Sequence, residues 1–336
     1  MLALERTLAT ARFLADDPVH HAPTGATPHE VIFRQRHAQL RYFRPAVARH
    51  APVFVCMPLI NTWTIWDLLP GRSVVQALTD AGAPVYLLDW GRPGPEDAET
   101  PLADAVDGLL VRCFDRLRRH ARQQGHADGC DAIGYCVGGT VLAMHLARHA
   151  SARRVAFVAT PVDFDAGGRL ATWADPHHFP LDAACDAGNI PAEQLRMAFQ
   201  WLKPMAQSRK WVTLWERIDD PDYPALWAAL ERWSDDSVPF PAEMYREYVR
   251  RCYFENRLMR GGWICGGRPV DLGAARIPAV AIAASDDHIV PVGAAHGLAR
   301  VWGGPTRTVT LRGGHVGICV GPALPAALVA WLSEVA

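Results

Sequence analysis

The sequence lacks an uninterrupted apolar run of the ~18 residues that a helix needs to cross a bilayer. It also lacks the continuous hydrophobic centre of a secretory signal, because Glu5 and Arg6 interrupt the apolar stretch at the N-terminus. We therefore expect a cytoplasmic protein with no transmembrane segment.

Neither sign of charge is in excess, since 34 lysines and arginines are balanced by 35 aspartates and glutamates, for a net charge of −1. A nucleic-acid-binding domain usually carries a basic excess. The arginine-rich run at 116–122 is interpreted as the solvated face of a helix. The composition therefore predicts no nucleic-acid partner.

The eight cysteines include no C-x-x-C pair, and no pair of cysteines or histidines has the spacing of zinc-finger ligands. Without such spacing, reduced thiols are the expectation for an intracellular protein. The sequence therefore predicts no disulfide framework, no metal site and no bound cofactor.

Short aliphatic runs alternate with helical stretches through the first half of the chain. Strands are predicted at 53–57, 85–90, up to 133, and 154–160. The intervening segments have the spacing of amphipathic helices. Continuous apolar strands that alternate with helices are typical of a parallel sheet covered on both faces. The fold class is therefore predicted to be α/β, with a mostly parallel central sheet.

The alternation stops after 160–164 and resumes at 278–285. The intervening segment is rich in tryptophan, proline and helical patterns, contains no convincing strand, and is far longer than an ordinary connection. It is predicted to be a helical cap over the sheet, with a helical insertion that merely adds core as the alternative. The predicted parts are an N-terminal arm at 1–50, an α/β core at 51–164 and 276–336, and a cap at 165–275.

A cysteine occupies the centre of the stretch DAIGYCVGGTVLA, between a predicted strand and a predicted helix. The pattern G-x-C-x-G at 134–138 is typical of a nucleophile elbow, a sharp turn in which flanking glycines let strand and helix approach. Cys136 is the predicted nucleophile, and the helix N-terminus favours its thiolate. The backbone N–H groups of Val137 and Ile60 are the predicted oxyanion donors. The alternative is a buried structural cysteine in a glycine-rich turn.

Two later loops supply the remaining members of a catalytic triad. The motif DDHIVP follows one predicted strand and LRGGHVGI follows the next. The order nucleophile, acid, histidine is that of α/β-hydrolases. Asp287 is preferred to Asp286 as the acid, His315 is the predicted base, and His288 is expected to be a structural or rim residue.

The chain resembles the polyhydroxyalkanoate synthases from about residue 50 to its end, and among them the short catalytic subunit of the two-subunit, class III enzymes. It departs from class III at Val137, where glutamine is more usual, and at Thr62 and Trp63. The matching blocks are MPLINTWTIWDLLPGRSVVQALTDAGAPVYLLDWG, GYCVGG, TPVDF, NRLMRGGWICGGRPVDL, SDDHIVP and GGHVGI.

The resemblance implies an α/β-hydrolase fold and an acyltransferase that polymerises (R)-3-hydroxyacyl-CoA into a polyester with release of CoA. It also implies that the protein works at the surface of polyester granules, as a homodimer or with a companion subunit. A thiol suits such a reaction, because transfer from one thioester to another keeps the acyl group activated for the next step. The alternatives are a cysteine-dependent hydrolase of the thioesterase or dienelactone-hydrolase type, and a non-catalytic granule-associated paralogue.

Overall fold

The computed structural model describes residues 3–334, and an eight-stranded sheet runs through its centre. The strands lie in the spatial order β1-β2-β4-β3-β5-β6-β7-β8. In chain order they are β1 (Glu30–Gln35), β2 (Ala38–Phe43), β3 (Val53–Cys56), β4 (Val85–Asp89), β5 (Asp131–Tyr135), β6 (Val155–Val158), β7 (Ala279–Ala284) and β8 (Thr306–Leu311).

The sheet is parallel from β4 to β8, and β2 is antiparallel to both of its neighbours. Strands β3 to β7 are buried almost throughout, because helices cover both faces of the sheet. Their carboxyl ends therefore lie along one edge, where loops can bring side chains together. The predicted α/β class with a mostly parallel sheet is confirmed.

The helices fall into three groups along the chain. The N-terminal pair is α1 (Ala3–Ala15) and α2 (Pro18–His21). The helices among the sheet strands are α3 (Val74–Asp80), α4 (Leu110–Gln123, after a π-helical turn at Asp104–Leu109), α5 (Cys136–Arg148), α13 (Val292–His296), α14 (Leu298–Val301), α15 (Gly317–Val320) and α16 (Ala323–Ser333). Those between β6 and β7 are α6 (Gly168–Trp173), α7 (Leu181–Asp186), α8 (Ala192–Trp201), α9 (Pro204–Glu216), α10 (Tyr223–Asp235), α11 (Ala242–Tyr248, followed by a π-helical turn at Val249–Phe254) and α12 (Arg257–Arg260).

Short elements complete the structure. Single 3₁₀ turns lie at Trp63–Trp66, Pro95–Asp97 and Leu272–Ala274. Two small antiparallel hairpins pair Asp67–Leu69 with Arg72–Ser73, and Trp263–Cys265 with Arg268–Val270. The second hairpin lies inside the segment for which the sequence predicted no strand, because its two three-residue strands are too short to produce a periodic pattern.

The first 50 residues contribute more than the predicted arm, since β1 and β2 belong to the central sheet. Strand β2 pairs with β4 along Gln39–Asp89 to Phe43–Val85. Strand β1 carries only a short apolar run at 31–33, and polar residues alternate with apolar ones in β2, so neither strand has the continuous apolar run that reveals the central strands. The predicted boundary at residue 50 therefore separates two strands from their own sheet.

The segment between β6 and β7 is predominantly helical and is tied to the sheet by a buried amide. Asn256 donates from Nδ2 to the Asp163 carboxylate at 2.9 Å and accepts the Phe164 backbone N–H at 3.1 Å. Asn256 is buried and has a left-handed backbone with φ of 45°. Asp163 also pairs with Arg300 on α14. Because these partners lie beyond β6 and on α14, the contacts fix the end of the helical segment against the α/β layer.

The N-terminal helices pack on the helices of the same segment. The Trp215 indole donates to the Thr7 hydroxyl at 3.1 Å, and Phe13 contacts Trp227 edge-on. Arg232 donates to the backbone carbonyls of two residues at the end of α2.

Among residues 3–334, no helix is both apolar enough and long enough to span a membrane.

Candidate active site

Cys136 is the first residue of α5, immediately after β5, and its backbone is left-handed with φ of 51°. A non-glycine residue in this region is strained, and such strain is concentrated at functional sites. The cysteine is 7% exposed. The strand-to-helix turn thus has the geometry expected of a nucleophile elbow.

The glycines around Cys136 are required by close packing of the turn. A Cβ on Gly134 would lie 2.5 Å from the Cα of Gly139. A Cβ on Gly138 would overlap the backbone carbonyl of Met57, and one on Gly139 would overlap the Thr160 hydroxyl. The loop after β3 and the segment after β6 therefore pack directly against the start of α5.

His315 and Asp287 form a buried hydrogen-bonded pair. His315 Nδ1 lies 2.6 Å from one carboxylate oxygen of Asp287, and the other accepts the backbone N–H groups of Ile289 and Val290, each at 2.8 Å. Asp287 follows β7 and His315 follows β8, so adjacent strand ends bring them together. The imidazole therefore has a fixed orientation, with Nε2 as its free nitrogen.

The charges of Cys136 and Asp287 determine the protonation of His315. Burial alone would lower the pKa of His315, but the charges on Cys136 and Asp287, together with the hydrogen bond to Asp287, raise it well above the usual value. Cys136 and His315 line the same cavity, and His315 is hydrogen-bonded to Asp287, so the three members of the predicted triad lie together. The three side chains can therefore exchange a proton between sulfur and imidazole while Asp287 orients the ring.

The remaining predicted positions lie around this group. Ile60 and Val137 both line cavities that contain Cys136, and their role as oxyanion donors stays a prediction. Asp286 accepts only the neighbouring Ser285 hydroxyl and is exposed, whereas Asp287 binds the histidine. His288 lines one cavity, and burial together with the charge of Lys203 lowers its pKa.

Tyr135 and Cys319 support His315, and Tyr135 was not singled out from the sequence. The Tyr135 ring stacks on the imidazole, and Cys319 is buried beneath the loop, with burial raising its pKa to about 12. The signal for Tyr135 is its position, because the residue before an elbow nucleophile ends the strand that carries it. Its contact with a residue 180 positions away leaves no trace in local sequence.

Two cavities meet at Cys136 and share the walls formed by Ile60, Phe199 and Ile289. The first, named the polar cavity for its charged and amide side chains, has a volume of about 210 Å³ and also has apolar walls such as Trp233 and Val316. Its polar lining comes from His315 and from side chains of α8, α9 and the loop between them: Arg196, Gln200, Lys203 and Gln207. The second, the apolar cavity, has a volume of about 180 Å³ and is lined mainly by aromatic and aliphatic residues. The thiol therefore lies between a cationic opening and an apolar pocket.

Comparison with known proteins places this geometry in a family. Residues 64–322 match the model of the alpha/beta hydrolase fold. A poly(3-hydroxyalkanoate) polymerase subunit from Allochromatium vinosum is 33% identical over 307 residues, which are 88% of this chain and 84% of that protein. The chain belongs to the poly(3-hydroxyalkanoate) polymerase family. The resemblance stated from the sequence motifs is thereby confirmed.

Further members of the polymerase family match over similar spans. The subunit from Thiocystis violacea is 32% identical, with 88% of this chain and 84% of that protein covered. The subunit from Synechocystis sp. is 29% identical and covers 92% of this chain and 85% of its own length. The match therefore includes the helical segment as well as the sheet.

Solved structures of proteins with low sequence identity to this chain share its fold. A putative non-heme bromoperoxidase from Mycobacterium tuberculosis superposes with a TM-score of 0.52 at 13% identity, over 90% of this chain and 100% of that one. An enol-lactonase from Burkholderia xenovorans gives a TM-score of 0.51 at 18% identity, over 91% and 100% of the two chains. These likenesses confirm the α/β-hydrolase fold.

Proposed function

We propose that this protein is the catalytic subunit of a poly(3-hydroxyalkanoate) synthase, in which Cys136, His315 and Asp287 polymerise (R)-3-hydroxyacyl-CoA and release CoA. The observation that carries the proposal is the position of Cys136, which lies in a strained elbow and lines the same cavity as a histidine oriented by Asp287. The family relationship supplies the substrate class.

The first step is acylation of the thiol. His315 takes the proton of Cys136, and the sulfur attacks the thioester carbonyl of the substrate. The carbonyl oxygen develops negative charge against the backbone N–H groups of Val137 and Ile60. The bond to CoA sulfur breaks, and the protonated His315 returns its proton to the CoA thiolate.

The second step extends the chain. His315, oriented by Asp287, takes the proton from the 3-hydroxyl group of an incoming hydroxyacyl unit. The resulting oxygen nucleophile attacks the acyl thioester and forms the ester bond, and the departing sulfur receives the proton from His315. The three side chains and the CoA thioester supply all the chemistry of both steps, so the proposed reaction uses no cofactor.

The polar cavity suits the CoA end of the substrate. CoA carries a pyrophosphate and a 3′-phosphate, and cationic side chains bind phosphates through charge-assisted hydrogen bonds. Arg196 and Lys203 both line this cavity, and the nearest carboxylate oxygens to Arg196 are 3.7 and 3.9 Å away. These cations favour a CoA thioester over an uncharged ester or lactone.

The helical segment is proposed to act as a cap that excludes water from the acyl enzyme, because water would hydrolyse the thioester. Helix α8 lines both cavities and α9 lines the polar one, so movement of this cap would open the site. We further propose that the protein works at the surface of its insoluble product in the cytoplasm, as a homodimer or with a companion subunit.

Substrate turnover with a matched variant tests the proposal. Purified protein is supplied with (R)-3-hydroxybutyryl-CoA or a longer homologue, and CoA release, free acid and polymer are measured together. Polymer with CoA release supports the proposal, and its loss in Cys136→Ala but not in Cys113→Ala assigns the nucleophile, because Cys113 is an equally buried thiol that lines neither cavity. Release of CoA with only free acid would identify a hydrolase. No release, alone or after co-expression with a companion subunit, would leave a non-catalytic paralogue.

A further inference from the structure

We infer that the apolar cavity beside Cys136 is the acyl pocket, and that it selects 3-hydroxyacyl groups of medium length, with about six to eight carbons. This inference rests on the proposed function and adds the substrate class that the reaction prefers. It depends on the direction in which a thioester must lie and on the size of the cavity.

The direction follows from the chemistry of the thioester. When the Cys136 sulfur attacks, the CoA sulfur and the acyl chain extend from the same carbonyl carbon in different directions. His315 must reach the leaving sulfur to protonate it, and His315 lines the polar cavity but not the apolar one. Arg196 and Lys203 also line only the polar cavity. CoA therefore occupies the polar cavity, and the acyl chain is directed into the apolar one.

The walls of the apolar cavity suit an alkyl chain. Its deep end, around Val137, Tyr248 and Val249, is buried, and its outer end is formed by Trp173, which is 42% exposed, and Ala198 on α8. Burial of apolar surface is the favourable term for a chain in such a pocket. The other lining residues are Ile60, Cys136, Pro161, Leu170, Ala174, Phe179, Leu195, Phe199, Phe240, Tyr245, Tyr253, Ile289 and Val290.

The size sets the length of the preferred chain. An apolar cavity of about 150 Å³ in another protein binds benzene, which has six carbons. The apolar cavity here measures about 180 Å³. A 3-hydroxybutyryl group extends only one methyl group beyond its hydroxyl-bearing carbon and leaves much of this wall without contact. A 3-hydroxyoctanoyl group extends five carbons beyond the same atom and fills the apolar cavity.

The π-helical turn Val249–Phe254 contributes two of the lining residues, Val249 and Tyr253. Such turns are uncommon and are found frequently at functional sites, because the extra residue redirects side chains from the regular helical face. Tyr253 packs edge-on against Phe164 and Tyr248, so its ring is held at this wall. The pocket is therefore bounded by side chains with little freedom to collapse around a short substrate.

The test compares CoA release from (R)-3-hydroxybutyryl-CoA and (R)-3-hydroxyoctanoyl-CoA. We expect kcat/KM to be at least about tenfold higher for the octanoyl substrate, since each buried methylene favours binding by about fourfold. Ala198→Phe narrows the apolar cavity and should lower the octanoyl value at least tenfold, while the butyryl value changes less than about threefold. Met197→Phe is the matched control, because Met197 is exposed on the same helix and lines neither cavity.

The outcomes separate this inference from the proposed function. Release of CoA with a preference for the butyryl substrate would overturn the inference about chain length, but the proposed synthase function would still stand. Equal effects of Ala198→Phe and Met197→Phe would also overturn it. If Ala198→Phe lost both activities, Ala174→Leu would narrow the same cavity from the end of α6, and the substrate ratio would decide. Absence of CoA release from both substrates would contradict the proposed function itself.

Discussion

The ring of Tyr135 lies nearly parallel to the imidazole of His315, with 5.3 Å between centroids and 26° between planes. The Tyr135 hydroxyl donates to the backbone carbonyl of His315 at 3.2 Å. The residue that precedes Cys136 therefore supports both the ring and the backbone of the proposed base. Tyr135 is a positioning residue, because it contacts His315 and would influence the reaction only through that histidine.

Replacing Tyr135 separates these two contacts. Tyr135→Phe keeps the stacked ring but removes the hydroxyl donor to the His315 carbonyl, which retains the Cys319 thiol at 4.0 Å, at a cost of about 1 kcal/mol in the free energy of unfolding. Tyr135→Leu also removes the ring contact, which is worth about another 1 kcal/mol. Urea unfolding measures both losses. We expect kcat to fall more in the leucine variant, and equal kcat values in the two variants would contradict a role for the ring.

Removing the Asp287 charge should change the titration of His315. Asp287→Asn eliminates one of the charges that raise the pKa of His315, so the midpoint of the imidazole NMR signal should move to lower pH. Cys136→Ala should move it in the same direction. A midpoint unchanged in both variants would show that neither charge acts on the histidine.

The same charge has a predictable effect on stability. Because the folded-state pKa of His315 lies above the unfolded value of about 6.5, protonation contributes stability that is fully present below that pH. This contribution is lost as the pH rises through the folded-state pKa. The stability advantage of the wild type over Asp287→Asn should therefore shrink from neutral to alkaline pH, as measured by denaturant unfolding at a series of pH values. An advantage that grows with pH would contradict the assignment.

Gly138 should not tolerate a methyl group. In Gly138→Ala the new Cβ meets the Met57 carbonyl, which belongs to the loop that carries Ile60. We expect a loss of about 1–3 kcal/mol in the free energy of unfolding, and a loss of Cys136 acylation larger than the stability change explains. Gly317→Ala is the control, since nothing lies within 4 Å of its Cβ position. Similar effects in the two variants would show that the elbow is not tightly packed.

Asn256 should control the attachment of the cap. Asn256→Ala leaves the buried Phe164 N–H without this partner, at a cost of about 1–3 kcal/mol, while the Asp163 carboxylate keeps the Asp165 N–H and Arg300. Limited proteolysis should then cut the segment between α6 and α11 faster than in the wild type, while the sheet stays protected. Unchanged cleavage would show that the amide does not hold the cap.

The cations of the polar cavity should affect KM only for substrates that contain the nucleotide part of CoA. The double variant Arg196→Ala, Lys203→Ala should raise KM for a hydroxyacyl-CoA roughly tenfold, which corresponds to about 1.4 kcal/mol. KM for the matching N-acetylcysteamine thioester, which has no phosphates, should stay unchanged. Arg209→Ala on α9 lines neither cavity and is the control. An equal rise for both substrates would indicate a packing effect.

The central sheet could be predicted because its buried strands form continuous apolar runs, and the positions of Cys136, Asp287 and His315 could be predicted because strand ends share one edge. The hairpin β1–β2 could not, since its alternation of polar and apolar residues is weak beside those runs. The two cavities could not be predicted either, because they depend on how α8 and α9 lie over the sheet. Asn256 and Tyr135 act through partners 93 and 180 residues away, a distance that local patterns do not encode.

The eight cysteine sulfur atoms differ in their accessibility from the two cavities. All eight thiols are free and buried within residues 3–334, but Cys136 alone opens onto the polar and apolar cavities. A small alkylating reagent that enters either cavity therefore meets one sulfur per folded chain. The stoichiometry of its incorporation would count correctly folded molecules directly.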